Sequence, residues 1–169
     1  MTRIKLGMVG GGHGSFIGPV HRIAARIDDR FELVAGALSS DPTRALASAQ
    51  ALEIDPSRTY LNFADMARSE AQRSGGIQAV SIVTPNHLHA DAAIVFLEAG
   101  IHVICDKPLT VSSQEASRIK AAVEVSNASF FLTHNYTGYP LIREARHRIM
   151  AGQLGEIRLE SGDTLLLCG

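Results

Sequence analysis

The chain has 169 residues, with 16 Lys+Arg against 17 Asp+Glu and a formal net charge of -1. That length fits one domain at roughly 100–200 residues each, and hydrophobic and charged shares of 46% and 20% exclude a disordered chain. The balanced charge offers no basic excess for nucleic acid, and no apolar run approaches the roughly 20 residues of a membrane helix. Residues 1–12 run directly into an apolar strand pattern with no signal-peptide region before it. The two cysteines, Cys105 and Cys168, stand in no metal-like spacing. The expectation is a cytoplasmic protein with one core, no metal, and neither nucleic acid nor membrane as partner.

In chain order, residues 4–9 (IKLGMV) read as a strand, and glycines follow at once. Over residues 15–27, Phe16, Ile17, Val20, Ile23, Ala24 and Ile27 fall at three- and four-residue steps, which predicts a helix with one buried stripe. Residues 31–38 (FELVAGAL) form a second strand. Asp41 then serves as an N-cap with Pro42 at the first helical position, and an alanine-rich helix runs on to residue 52. Residues 60–71 hold a short segment, counted as a strand, and another helix closed by Ser74-Gly75-Gly76.

The fourth strand, residues 77–83, is apolar at its centre, as strands covered on both faces are. Thr84-Pro85-Asn86 breaks it, and a helix over 87–99 ends at Gly100, where a left-handed cap is favoured. Residues 101–105 form the fifth strand, Asp106-Lys107-Pro108 a break, and 112–126 a helix. The sixth strand covers 129–133, and a last helix covers 139–151, ended by Gly152. This alternation predicts an α/β fold, a Rossmann-type doubly wound, mostly parallel sheet with helices on both faces. In such sheets ligands bind beyond the carboxyl ends of strands, where the strand order reverses.

The first strand end carries Gly10-Gly11-Gly12-His13-Gly14-Ser15, a G-x-G-x-x-S between strand and helix. Glycines there let the backbone turn tightly and approach a pyrophosphate, and the helix N-terminus supplies unpaired N–H groups with a partial positive charge. Gly10, Gly12, His13, Gly14 and Ser15 are therefore candidate cofactor contacts, with Ser15 at the third glycine position. The second strand end reads Ser39-Ser40-Asp41-Pro42-Thr43-Arg44. Ser39, Ser40 and Arg44 lean towards NADP, whereas Asp41 could serve the ribose of NAD, so both dinucleotides stay open.

Each later strand end is polar. Asn86 and His87 follow the fourth strand, where Asn86 could equally cap the next helix. Lys107, beside Asp106, follows the fifth and is placed to meet a carbonyl or hydroxyl, its charge tuning a proton transfer if burial lowers its pKa. His134-Asn135-Tyr136 follows the sixth.

Together these clusters resemble the glucose–fructose oxidoreductase, inositol dehydrogenase and rhizopine-catabolism (Gfo/Idh/MocA) family of NAD(P)-dependent oxidoreductases. The resemblance runs from residue 4 to about 158. It is most specific in TPNHLHADAAIVFLEAGIHVICDKPLT (84–110), where Asp106-Lys107-Pro108 matches the family's E/D-K-P motif. GMVGGGHGSFIGPVHRIAA (7–25) and HNYTGYPLIREAR (134–146) are similar to the family as well. The resemblance implies NAD or NADP across the strand ends, with Thr84, Pro85, Asn86 and His89 beside the ribose and nicotinamide half. Lys107 would contact the substrate hydroxyl or the nicotinamide ribose, Asp106 would orient it, and Lys107–Pro108 would be a cis bond. Asn135 and Tyr136 would line the substrate side.

The resemblance also implies a second, mostly antiparallel domain that supplies the substrate pocket, the dimer face and an Asp-x-x-x-His pair. No such pair follows residue 158, and residues 161–169 do not resemble the expected continuation. The division expected is a dinucleotide-binding domain over 1–136 and the start of a truncated substrate and oligomerisation domain over 137–169. The leading reading is the cofactor half of an oxidoreductase that moves hydride between NAD(P) and a sugar, polyol or related hydroxyl compound. Exposure of a face meant for the absent domain would favour a homo-oligomer. The alternative is a non-catalytic nucleotide-binding or scaffold remnant of the same fold. A methyltransferase-like protein binding S-adenosylmethionine is a third reading, opposed by Asp106-Lys107-Pro108 and by the lack of a clear acidic residue ending the second strand.

Overall fold

The computed structural model describes residues 2–156. Sequence features beyond residue 156, including Cys168 and the unfamiliar 161–169 segment, lie outside the described residues. Two compact units are present, Met1–Thr133 and His134–Gly169.

The first unit is a five-stranded parallel sheet in the order β2-β1-β3-β4-β5. Its strands are β1 (Ile4–Gly10), β2 (Phe31–Ala37), β3 (Ala79–Val83), β4 (His102–Cys105) and β5 (Phe130–Leu132). Helices α1 (Ile17–Arg26), α2 (Pro42–Ala51), α3 (Phe63–Gln72), α4 (His89–Glu98) and α5 (Ser113–Val125) make the crossovers. The chain builds β2 on one side of β1 and then returns to lay β3 on the other. The crevice beyond β1 and β3 is therefore the point where strand order reverses. The segment counted as a third strand, within residues 60–71, forms no strand, and Thr59 just before it makes a single parallel bridge to Gly36 of the edge strand β2. Asp55 caps a 3-10 turn over Pro56–Arg58 just before it, so the chain is extended there for too few residues to form a ladder.

Alternation of side chains along each strand splits the core in two. Val80, Ile82, Val103 and Cys105 face α3, α4 and α5 and pack with Met66, Ala92, Phe96 and Ile119. Met8, Leu38, Ala49, Ile54 and Val83 form a smaller cluster on the opposite side, where Ile17 of α1 joins them. Helix starts follow their caps: the Asp41 carboxylate accepts from the Arg44 amide, Asn62 from that of Asp65, and Ser112 from that of Glu115. Gly100 and Gly152 stand in the left-handed conformation just after α4 and after α6 (Pro140–Met150), as their helix-ending positions require.

The first helix departs from expectation. Of the stripe predicted to be buried, Ile17 packs inward, but the rest points outward, with Phe16 89% and Ile27 80% exposed and Val20 and Ile23 also open. The inner face is instead Ile17, Gly18, His21 and Arg22. Gly18 sets that orientation, because a Cβ there would lie 2.5 Å from the Gly11 Cα. Only glycine lets α1 approach the loop so closely, and polar His21 and Arg22 are carried inward with it.

The second unit, by itself, opens with a 3-10 turn over Asn135–Gly138 and continues into α6. Helix α6 buries none of its residues and carries an Arg148–Glu144 ion pair at 2.7 Å.

Candidate functional site

The turn after β1 forms one wall of a cleft of about 240 Å³ at the reversal point. Gly10, Gly12, His13, Gly14 and Ser15 line it, as do Ser39 and Arg44 from the far side and Thr84 and Pro85 from the end of β3. Gly12 is held where a Cβ would sit 2.7 Å from the Leu38 carbonyl oxygen and 2.8 Å from Ser48 Oγ, so the close approach excludes any larger residue. Ser15 takes the third position through its hydroxyl, which accepts from the Gly18 amide at 3.2 Å and helps start α1.

Two side chains fix the loop from behind. Arg22 Nη1 donates to the Gly11 carbonyl at 2.7 Å, and the buried Ser48 hydroxyl accepts from the His13 amide at 3.0 Å. Neither is among the sequence candidates. Ser48 lies four residues after Arg44, hence on the same face of α2, and that spacing is the signal that could have found it. Arg22 has no such signal, because the Gly18–Gly11 backbone contact is what turns it inward.

Ser40, Asn86, His89, Lys107 and Pro108 do not line the cleft. Asn86 does not cap α4: it opens a 3-10 turn over Asn86–Leu88 that precedes the helix. His89 is buried, with Nδ1 2.8 Å from the Pro108 carbonyl oxygen and Nε2 3.0 Å from that of Thr84. It is a strut between the loops that follow β3 and β4. Thr84 Oγ1 is buried without a hydrogen-bond partner among the described residues.

The loop after β4 holds the other polar group. The Asp106 amide continues the ladder by donating to the Ile82 carbonyl at 2.9 Å, and Lys107–Pro108 is cis. Asp106 Oδ1 accepts from Thr133 Oγ1 at 2.9 Å and lies 3.6 Å from His21 Nε2. His21 Nδ1 is 2.8 Å from Ser81 Oγ, so the one polar residue of β3 meets the inward-turned imidazole. Burial pushes the His21 pKa down, and the Asp106 carboxylate opposes that push only in part. Lys107 is exposed, and no ion pair between it and Asp106 is formed. The neighbouring Cys105 thiol is buried and pushed up to about 12 by desolvation and the Asp106 charge, which removes it as a nucleophile. Asn135 and Tyr136 belong to the second unit, where the Tyr136 ring packs edge-on to Tyr139 at 5.4 Å between centroids. No cluster of metal-ligating side chains exists among the described residues.

The Gfo/Idh/MocA family, described as an oxidoreductase family with an NAD-binding Rossmann fold, matches residues 4–134. The chain belongs to this family. An oxidoreductase from Sinorhizobium meliloti of known structure is 58% identical, with a TM-score of 0.86 over 94% of this chain and 44% of that one. An inositol dehydrogenase homologue from Azotobacter vinelandii, solved with NADH and myo-inositol, is 43% identical, with a TM-score of 0.88 over 93% of this chain and 41% of that one. Levoglucosan dehydrogenase of Pseudarthrobacter phenanthrenivorans is 34% identical over 172 residues, 93% of this chain and 40% of the relative. The chain spans about two fifths of the length of such curated relatives.

As a Gfo/Idh/MocA dinucleotide domain, this one fits a nicotinamide dinucleotide on its own geometry. Gly12 lines the cleft and tolerates nothing larger than hydrogen, because Leu38 and Ser48 occupy the place of a Cβ. Thr84, whose buried hydroxyl has no partner among the described residues, lines the same cleft. A buried hydroxyl without a partner costs roughly 1–3 kcal/mol. No helix among the described residues is long and apolar enough to cross a membrane.

Proposed function

We propose that this chain is the cofactor-binding part of an oxidoreductase that transfers hydride between NAD(P) and a sugar, polyol or related hydroxyl compound. The observation that carries the reading is the cleft at the strand-order reversal, walled by the glycine turn and by Thr84, whose buried hydroxyl has no partner among the described residues. In this reading the glycine-turn amides and the start of α1 hold the pyrophosphate, with Arg22 and Ser48 keeping the turn in shape. Thr84 and Pro85 contact the ribose and nicotinamide half, and a bound nicotinamide supplies the hydride donor or acceptor. Lys107, exposed at the carboxyl end of β4, meets the substrate hydroxyl or the nicotinamide ribose. Asp106, held by Thr133 and His21, fixes the loop from which Lys107 projects.

The sugar or polyol class rests on relatives: one is named a levoglucosan dehydrogenase, and another was solved with myo-inositol. Residues 137–169 are read as the beginning of a substrate and oligomerisation domain. The proton-transferring partner of Lys107 would come from that domain, so dinucleotide binding with little or no turnover is expected of these 169 residues. Isothermal titration of the chain with NAD+ and NADP+ tests this reading directly. Saturable one-site heat with at least one of them is expected, and none with either overturns it.

A further inference from the structure

The end of β2 carries information about which dinucleotide the cleft takes. In Rossmann domains a carboxylate there accepts from the ribose hydroxyls, whereas a nearby arginine accommodates a 2′-phosphate. Asp41 is the only carboxylate between residues 33 and 52, and the fold has already committed it. Its Oδ1 accepts from the Arg44 amide at 2.7 Å as the N-cap of α2, and the side chain does not line the cleft. Ser39, which does line it, accepts from the Asp41 amide at 3.1 Å and keeps its hydroxyl hydrogen for another acceptor.

Arg44 extends the opposite way. Its Nη2 lies 3.4 Å from the His13 carbonyl oxygen, at the rim between the glycine turn and the end of β2. That contact is long and leaves most of the guanidinium's five N–H groups unused. None of the ion pairs among the described residues involves Arg44, although Asp41 is only three positions away. A cation without a carboxylate partner therefore stands beside a serine donor in the wall of the cleft, and the acid that would favour a free 2′-hydroxyl is turned into a helix cap. A planar guanidinium matches phosphate geometry better than a neutral ribose.

We propose that the site selects NADP over NAD, with Arg44 holding the 2′-phosphate and Ser39 donating to it. The inference rests on the dinucleotide-binding reading above. The test is calorimetric titration of the whole chain with NADP+ and NAD+, and with adenosine 2′,5′-bisphosphate and 5′-AMP as minimal probes. NADP+ should bind about 10- to 100-fold more tightly than NAD+, as expected for charge-assisted hydrogen bonds. The bisphosphate should exceed 5′-AMP by a similar factor.

In Arg44→Ala the two dinucleotides should bind within a few fold of each other, and Arg44→Lys should retain an intermediate preference. NAD+ binding by the variants verifies that the cleft still folds. Equal or tighter binding of NAD+ by the unaltered chain overturns the inference and leaves the dinucleotide-binding reading standing. A preference for NADP+ that survives Arg44→Ala overturns the assignment to Arg44. Absence of saturable binding with every probe overturns the reading beneath both.

Discussion

At the scale of single side chains, His21 ties three elements together. It leaves α1 to meet Ser81 of β3 through Nδ1 and lies 3.6 Å from Asp106, at the end of β4, through Nε2. Its pKa is lowered in the fold by burial, so the folded protein keeps the ring neutral where an unfolded chain begins to take up a proton. The contribution to stability is complete above the unfolded value of about 6.5 and is lost progressively as pH falls below it. The measurement is thermal melting of the native chain and of His21→Asn between acidic and neutral pH. The stability difference between them should shrink as pH drops through that window, and a difference independent of pH would refute the assignment.

At the scale of elements, α1 and α3 show why sequence pattern is only part of the fold. Hydrophobic periodicity marks α1 as a helix, yet its apolar stripe faces outward because Gly18 and Gly11 must touch. A backbone contact leaves no trace in the spacing of apolar side chains. The glycine turn, the Asp41 cap and the polar strand ends were legible in the sequence, because each depends on neighbours a few residues apart. The supports of the site were not, since His21, Ser81 and Thr133 come from three separate segments and meet only once the sheet exists.

Helix α3 holds another such group, Glu70, whose side chain is inaccessible to solvent. Burial alone would push its carboxyl up, but hydrogen bonds from Arg58 and from the Tyr60 hydroxyl, the latter at 2.8 Å, bring it below the usual range. The Ile77 amide adds a bond at 3.1 Å and joins α3 to the lead-in of β3. Removing one partner of a buried pair leaves an uncompensated charge. Glu70→Ala should therefore cost about 3–5 kcal/mol in urea unfolding, and a loss below about 1 kcal/mol, the range of a surface pair, would contradict this account.

At the scale of the whole molecule, the outward stripe of α1 matters most. Phe16, Val20, Ile23 and Ile27 recur at helical spacing and present apolar surface to solvent. Surfaces of this kind promote association. The chain should show a concentration-dependent rise in apparent mass by light scattering, and Ile23→Lys should reduce it without lowering the melting temperature. An apparent mass that stays monomeric at every concentration would count against the stripe as an association surface. The strand count is a further lesson at this scale. A parallel strand needs several residues in register, and the stretch at Thr59 supplies one.

The His89 imidazole has a mechanical consequence. Because it touches the carbonyls of both Thr84 and Pro108, the loops after β3 and β4 are braced against each other rather than hinged separately. Movement of either loop therefore strains the contact that holds the other.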